Sequence, residues 1–250
     1  MERKLIAALA CRNKGSRLYG KPLQNLDVKN GIKVIDHIID HLKETNIIDN
    51  IVLGIAEGIE NEIYKEIAIE KNVDYIVGDE TDVLKRLILC GEHKNATDIF
   101  RVTSESPFLF YQSIDDLWKL YKKEKLDAIF QDDIIDGCGY EIISLNALKK
   151  SYKDGEDRHR SELCTLYIRE NQKSFKIKKI KAENKFNRKD LRFTVDNPED
   201  LILCRELYKN FKHQSPRINI EDLIDYMDKN PSLIDLTSKY TEEGYKTMYV

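Results

Sequence analysis

Four cations fall within ten residues beside two glycines. They are Arg12, Lys14, Arg17 and Lys21 in the segment Cys11-Arg12-Asn13-Lys14-Gly15-Ser16-Arg17-Leu18-Tyr19-Gly20-Lys21. Glycine lets a backbone turn and approach a ligand closely. Open backbone N–H groups together with Arg and Lys make a cradle for a polyphosphate. The plainer reading is a solvated basic loop. Gly15, Gly20 and Lys21 have the G-x-x-x-x-G-K spacing of a P-loop, but Pro22 stands where a Ser or Thr hydroxyl should bind magnesium. Proline has neither that hydroxyl nor a backbone N–H. No apolar strand ending in Asp supplies a second magnesium ligand of that class. The G-x-G-x-x-G dinucleotide fingerprint is missing as well, which argues against NAD. The chemistry left is polyphosphate binding by a different loop.

Three other groupings could carry chemistry. Asp79, Glu80 and Asp82 cluster ahead of an apolar stretch, where Thr81 or Asp82 would equally serve as a helix cap. Arg158, His159 and Arg160 could grip a carboxylate or phosphate, or simply form a solvated helix start. His37 and His41 lie four apart on a helical stripe, as a metal pair could, but no third ligand is evident, so packing or an interface is the better reading. The cysteines (Cys11, Cys90, Cys138, Cys164, Cys204) are odd in number and widely spaced, with no C-x-x-C. That pattern gives neither a disulfide framework nor a zinc site.

These residues need a scaffold, and hydrophobic patterning supplies one. Short apolar runs predict buried strands at Leu5–Ala10, Ile51–Ala56, Val73–Val77, Ile99–Val102 and Asp127–Phe130. Between them, helical stripes cover Val34–Leu42, 59–71, 82–94 and a segment from a Ser113 cap through Tyr121. Strands alternating with helices imply an α/β fold: a Rossmann-like, mostly parallel sheet with helices on both faces. The second half is more broken. Strands are expected near 139–144, 175–181 and 191–195, and helices near 145–152, 160–170, 198–210 and 220–228. Ligands of such sheets bind beyond the carboxyl ends of the strands, which selects the loops at 11–21, 78–82 and 104–107.

Composition bounds the function. Of 250 residues, 41% are hydrophobic and 34% charged, enough apolar content for a core and too mixed for a disordered tail. Lys and Arg number 41 against 44 Asp and Glu, a net charge of −3, which excludes an electrostatic nucleic-acid binder. The apolar stretch Leu5–Cys11 is too short for a span, and no run reaches ~18 apolar residues. The expectation is a cytoplasmic protein that meets neither nucleic acid nor membrane. Asn95-Ala96-Thr97 matches a glycosylation sequon that would be inert there.

Read as motifs, the chain resembles the sugar-nucleotide nucleotidyltransferases. Ala10-Cys11-Arg12-Asn13-Lys14-Gly15-Ser16-Arg17-Leu18-Tyr19-Gly20-Lys21-Pro22-Leu23 is similar to their A-x-R-x-x-S-x-R-L-x-G-K-x-L signature. Gly78 through Arg86 looks like their G-x-x-D-D-V-L-x-R segment, Arg101 through Leu109 like R-x-T-G-D-x-P-L, and Asp136-Gly137 through Glu141 like D-G-x-x-x-E. Phe193-Thr194-Val195-Asp196-Asn197-Pro198-Glu199-Asp200-Leu201 resembles L-T-V-D-T-P-E-D-L, and the tail from Asn230 to Tyr245 resembles the family's C-terminal end. The match runs in order along nearly the whole chain. It is nearest to the spore-coat-polysaccharide-type cytidylyltransferases, with CMP-Kdo synthetase a more distant relative.

The resemblance implies a nucleotide-diphospho-sugar transferase fold in one domain. Residues 1–135 would bind nucleotide; residues 136–250 would form a smaller α+β portion for acceptor binding and homodimerisation. The reaction would join a nucleoside triphosphate, CTP in first place, to a sugar such as a keto-deoxy sugar acid, with release of pyrophosphate. Arg12, Arg17 and Lys21 would stabilise phosphate charge. Ala8, Ala10, Gly15, Ser16, Gly78, Asp79 and Asp82 would join them around the nucleotide. Glu105 and Asp196 would hold Mg2+. Ser104-Glu105 departs from the family's Gly-Asp, and Asp196 also reads as a cap for the helix opening at Asn197-Pro198. Tyr140, Glu141, Arg158, His159 and Arg160 are the acceptor candidates. A pyrophosphorylase acting on a sugar phosphate or polyol phosphate, and a non-catalytic nucleotide-binding protein of the same fold, stand as alternatives.

Overall fold

The computed structural model describes residues 3–15 and 17–247, with the backbone alone at 242, 243 and 245–247. Strand β1 (Leu5–Cys11) is apolar at every position because both of its faces are covered. Leu5, Ala7, Leu9 and Cys11 point into one core, Ile6 and Ala8 into the other. Around it run β4 (Asn50–Ala56), β5 (Asp74–Gly78), β6 (Asp98–Arg101), β7 (Ala128–Asp133), β8 (Tyr140–Ser144) and β9 (Ile177–Lys181). They form a seven-stranded sheet in the order β5-β4-β1-β6-β8-β7-β9. β8 pairs antiparallel with both its neighbours, and every other pairing in the sheet is parallel. This is the mostly parallel α/β sheet expected from the alternating pattern.

Helices cover both faces. The larger core packs α1 (Val34–Lys43), α2 (Ile63–Glu70), α4 (Ile114–Glu124), α7 (Pro198–Phe211) and α8 (Ile220–Lys229) on one side. The smaller core packs α3 (Val83–His93) and α5 (Leu145–Asp154) on the other. From β1 the chain steps outward to β4 and β5, then returns through α3 to β6 on the far side of β1. That reversal opens a crevice between the carboxyl ends of β1 and β6, where ligands of such sheets bind. β8 lies between β6 and β7, so residues beyond 135 are built into the sheet of the first portion.

Four expectations change. Residues 191–195 form no strand, only a single bridge from Asp136 to Arg192. Their amides serve two different loops: Phe193 N–H donates to Asp136 O at 2.7 Å and Val195 N–H to Glu105 O at 3.0 Å. The helix expected at 160–170 shrinks to a 3-10 turn at Asp157–Arg160 and a short α6 (Leu166–Glu170), because Arg101 Nη2 holds the Glu162 carbonyl at 2.9 Å. Ser113 sits at the N-cap of α4 without capping it, its hydroxyl being 2.8 Å from the Tyr140 hydroxyl. A final helix, α9 (Pro231–Thr247), and a small hairpin of β2 (Asn25–Asp27) and β3 (Ile32–Lys33) add to the predicted set. The buried face of α9 includes Thr237, Thr241 and Gly244, while Leu233, Ile234 and Leu236 near its start pack against the larger core.

Candidate active site

The basic loop leaves β1 and is pinned at its root. Asn13, almost fully buried, accepts from the Tyr64 hydroxyl at 2.9 Å through Oδ1, and its backbone N–H donates to Asn61 Oδ1 at 2.8 Å. The loop closes on itself when Gly20 N–H donates to Asn13 O at 2.8 Å. Gly20 does this in the left-handed region, at φ 57°, and starts the 3-10 turn that aims Lys21 inward. Ser16 lies outside the described residues.

Two adjoining cavities open at the crevice, and Arg17, Lys21, Thr103 and Glu105 belong to both. Lys21 Nζ donates to Asp196 Oδ1 at 2.5 Å, and Arg17 Nη2 lies 3.3 Å from the same oxygen. The other oxygen of Asp196 accepts from Arg192 Nη2 at 2.9 Å. Burial alone would raise the Asp196 carboxyl, but Lys21, Arg17 and Arg192 outweigh it and hold the group below the usual carboxylate range. The cap expected at this helix is supplied elsewhere: Asn197 is the N-cap and Asp200 accepts its backbone N–H at 2.8 Å. Asp196 is therefore left facing the cavity.

Arg192 has no exposed side-chain surface and is shared by three carboxylates: Asp136 at 3.3 Å, Asp196 at 2.9 Å and Asp200 at 2.9 Å. Its Nη1 also donates to Tyr240 O of α9 at 2.8 Å. A Cβ on Gly244 would lie 2.5 Å from that nitrogen and 2.8 Å from Asp136 Oδ2, so a side chain there would have to push the pair aside. Burial pushes Asp136 up to about 6, with Arg192 pulling down and Asp196 and Asp200 pushing further up.

Glu105 stands beside this group. Ser104 Oγ lies 2.9 Å from Ala10 O and 3.1 Å from Glu105 Oε2, so the serine ties the ends of β1 and β6 together and holds the acid. Loss of hydration raises the Glu105 carboxyl above its ordinary value, with Lys21 opposing and Asp196 reinforcing the shift. Such a carboxyl favours a nearby positive charge. Among the described residues no cluster of three or more His, Cys, Asp or Glu could hold a metal unaided. Mg2+ typically needs only one or two carboxylates, with phosphate and water completing its shell, so Glu105 and Asp196 suit it.

The first cavity is flanked by Arg12, Lys14 and Gly15 of the loop and by Val83, Arg86 and Leu87 of α3. Arg12 reaches Glu162 at 3.1 Å and Lys14 reaches Glu80 at 3.3 Å. Ala10 lines this cavity, whereas Ala8 has no exposed surface and belongs to the core one residue pair back along β1. Asp79, Asp82 and Gly78 take structural places instead of the nucleotide-lining ones expected. Asp79 Oδ1 accepts from Thr81 N–H at 2.7 Å and Asp82 N–H at 2.8 Å, and Asp82 caps α3 through Lys85 N–H at 2.8 Å. Gly78 ends β5, where a Cβ would crowd Arg86 Cγ at 3.0 Å. Arg86, 1% exposed, donates to the carbonyls of Cys11 at 3.1 Å, Gly54 at 2.8 Å and Glu80 at 3.3 Å, clamping the strand ends that form the cavity floor.

Tyr140 and Glu141, two of the acceptor candidates, line the second cavity. Tyr140 offers its ring, since its hydroxyl is turned to Ser113. Glu141 accepts from Arg101 at 2.8 Å, Arg169 at 2.6 Å and Thr165 at 2.8 Å. Arg158 and Arg160 are corrected to surface positions. Arg158 makes a two-pronged pair with Glu170 at 2.6 and 2.8 Å, which His159 joins at 2.9 Å. Arg160 pairs with Asp157 and stacks on Tyr152. Glu162, a few residues on, does reach both cavities. His37 and His41 are packed edge-on against Tyr208 and Tyr111, and burial lowers them to about 4 and about 3, so they are neutral packing residues. All five cysteines are buried and outside disulfides. Among the described residues no helix is long and apolar enough to cross a membrane.

Comparison with known proteins bears on this arrangement. The sequence model of a family described as cytidylyltransferase matches residues 6–225. The uncharacterized protein MJ1063 of Methanocaldococcus jannaschii is 26% identical over 97% of this chain and 98% of its own. The spore coat polysaccharide biosynthesis protein SpsF of Bacillus subtilis is 24% identical over 68% of this chain and 71% of its own. A cytidylyltransferase from Leptospira borgpetersenii superposes with a TM-score of 0.82 at 22% identity, covering 93% of this chain and 97% of that one. A CMP:2-keto-3-deoxy-manno-octonic acid synthetase complexed with CTP superposes with a TM-score of 0.61 at 13% identity, covering 83% and 99%. The two solved structures share the nucleotide-diphospho-sugar transferase fold.

Proposed function

The chain belongs to the cytidylyltransferase family and is a nucleotidyltransferase, and from that premise we propose that it couples CTP to a sugar and releases pyrophosphate. The activated sugar would serve polysaccharide or glycan synthesis. The observation that carries this reading is the meeting of Lys21, Arg17 and Glu105 on a wall common to two cavities, with Asp196 of the second cavity paired to both cations. One cavity suits the triphosphate and base, the other the acceptor, and the wall between them is where the bond must be made.

In the proposed reaction the acceptor oxygen attacks the α-phosphorus while the bond to the β-phosphate breaks. Arg12, Arg17 and Lys21 neutralise the charge that develops on the phosphate oxygens. Their present carboxylate partners are exchanged for phosphate as the nucleotide enters. The exposed Arg12–Glu162 pair is cheap to break, at about 0–1 kcal/mol. Asn13 and Gly20 hold the loop so that these cations arrive in register, which is the positioning on which in-line transfer depends. The base would lie against Ala10, Val83 and Leu87, apolar surface suited to a flat ring. Glu105 and Asp196 would hold Mg2+, which would supply positive charge to offset that of the phosphates.

The test is thermal stability with CTP, UTP, GTP and ATP, each with and without Mg2+. A ligand at 100 times its dissociation constant adds ~2.7 kcal/mol to native stability. The expected result is a shift with CTP that Mg2+ enlarges. A larger shift with another nucleotide would reassign the base, and no shift with any would count against the nucleotide site.

A further inference from the structure

The sheet ends in two open strands, and its two ends are charged oppositely. Among the described residues β5 pairs only with β4, and β9 only with β7. An open edge is a row of unpaired N–H and C=O groups, a template for another strand. On β5, Gly78 O accepts from Glu57 N–H at 2.8 Å, so Gly78 and, by alternation, Ile76 turn their peptide groups to β4. Tyr75 and Val77 turn theirs outward. On β9, Lys176 O accepts from Asp127 N–H at 2.8 Å, which leaves Ile177 and Lys179 facing outward in the same way.

The β5 end is apolar and acidic. Ile59, Ile69, Tyr75 and Val77 lie there, four of the seven large apolar side chains exposed among the described residues. Tyr75 and Val77 stand beside Leu53 and Ile55 of β4, on the face that α2 covers. Single exposed apolar residues need no explanation, but a group of them at an open strand marks a contact surface. Glu57, Glu60, Glu66 and Glu70 are exposed at this end, and among the described residues none of them has an ion-pair partner. The β9 end is basic. Lys176, Lys179 and Lys181 are exposed on or beside the strand, and Lys122, Lys123 and Lys125 close α4 next to it. Glu124 of α4 is consumed there, its carboxylate by Lys178 at 2.6 Å and its carbonyl by Lys176 Nζ. Two β5 ends would bring acid to acid, and two β9 ends lysine to lysine, whereas a β9 end against a β5 end matches charge. Direction fits as well. β5 and β9 run the same way, because the two reversals at β8 cancel. A polyanion would answer the lysines and leave β5 uncovered; a second copy of the chain answers both ends.

We propose that copies of this chain associate head to tail, with β9 of one copy laid parallel to β5 of the next so that the sheet continues between them. The contact joins two different surfaces, so it extends beyond two copies, as a ring if the rotation closes and as a filament if it does not. β1 and β6 lie at the middle of the sheet, so the crevice at their carboxyl ends stays open in such an assembly.

The experiment is sedimentation of the full chain over about a hundredfold range of concentration, at about 20 and about 500 mM NaCl. The average mass should climb past two copies as concentration rises at low salt, and fall back at high salt. One mass at every concentration and salt overturns the proposal. Two charge-reversed variants then separate the ends, each altered only at exposed positions. Lys179→Glu with Lys181→Glu changes the β9 end, and Glu66→Lys with Glu70→Lys the β5 end. Either variant alone should associate with itself at least about tenfold more weakly than the unaltered chain. Mixed, the two should associate with each other again, because every β9 end then meets a β5 end of opposite charge. A variant that assembles alone as well as the unaltered chain overturns the pairing, and so does a mixture that stays apart. Vesicles of phosphatidylglycerol test the other occupant. A chain that keeps one mass in solution but binds these vesicles through Lys179 and Lys181 would give the basic end to an anionic surface and overturn the proposal.

Discussion

Two arginine-bearing segments look alike as sequence and end differently as structure. Arg12, Arg17 and Lys21 follow a buried strand, and their charges meet carboxylates from distant parts of the chain across a cavity. Arg158 and Arg160 lie between helices, and their charges are spent on Glu156, Asp157 and Glu170 within a dozen residues. The first set is held by a few long-range pairs that a polyphosphate can exchange. The second is a closed local knot with its charge already matched. Proximity of cations along a chain therefore says little; the strand end they spring from decides whether they face a ligand.

That contrast can be broken in four places. The largest effect is expected at Asp196. Asp196→Asn should abolish Mg2+-dependent turnover, and it should lower Tm only moderately because Arg192 keeps Asp136 and Asp200. A variant that melts early yet turns over normally when folded would reduce Asp196 to a structural partner of Arg192. Next comes Lys21→Ala, expected to cost at least ~100-fold in kcat/KM. Near-normal kinetics would remove Lys21 from the chemistry.

A third effect is read in stability. The Asp136 carboxyl is raised to about 6 from an ordinary 3.8, so its ionised form opposes folding above pH 6. The opposition fades as pH falls through 6 and is gone below about 4. Asp136→Asn should thus raise Tm at pH 8, by about 2–4 °C for each kcal/mol gained, with a shrinking gain in melts run toward pH 4. A gain that is the same at every pH would assign the effect to packing. The smallest effect belongs to the knot: Arg158→Ala should leave kcat/KM within about twofold, and a larger loss would put that segment back into the site.

Legibility followed the kind of force at work. β1, β4, β6, α1, α3 and α7 were readable because burial writes itself as apolar runs and stripes. The cations of the loop were readable because phosphate demands their charge. Asn13, Arg86 and Arg192 were not singled out, since each acts on backbone carbonyls or acids far away in sequence, and no local spacing marks that. The segment 191–195 has the composition of a strand, but its amides are drawn to two separate loops. Asp79 and Asp82 show the reverse error. Their carboxyl groups suit a ligand, and the backbone N–H groups opening α3 take them first.

The seat of α9 on Arg192 has a practical side for anyone handling the protein. Tyr240 and Gly244 touch the cluster that holds Asp196, so a label or tether placed on this part of α9 hangs beside the chemistry. Arg3 and Lys4 lead into β1 at the end of that strand away from the basic loop, about 20 Å from Cys11. Handles, surface tethers and fluorescent labels belong there, where they can be pulled without tugging on the catalytic wall.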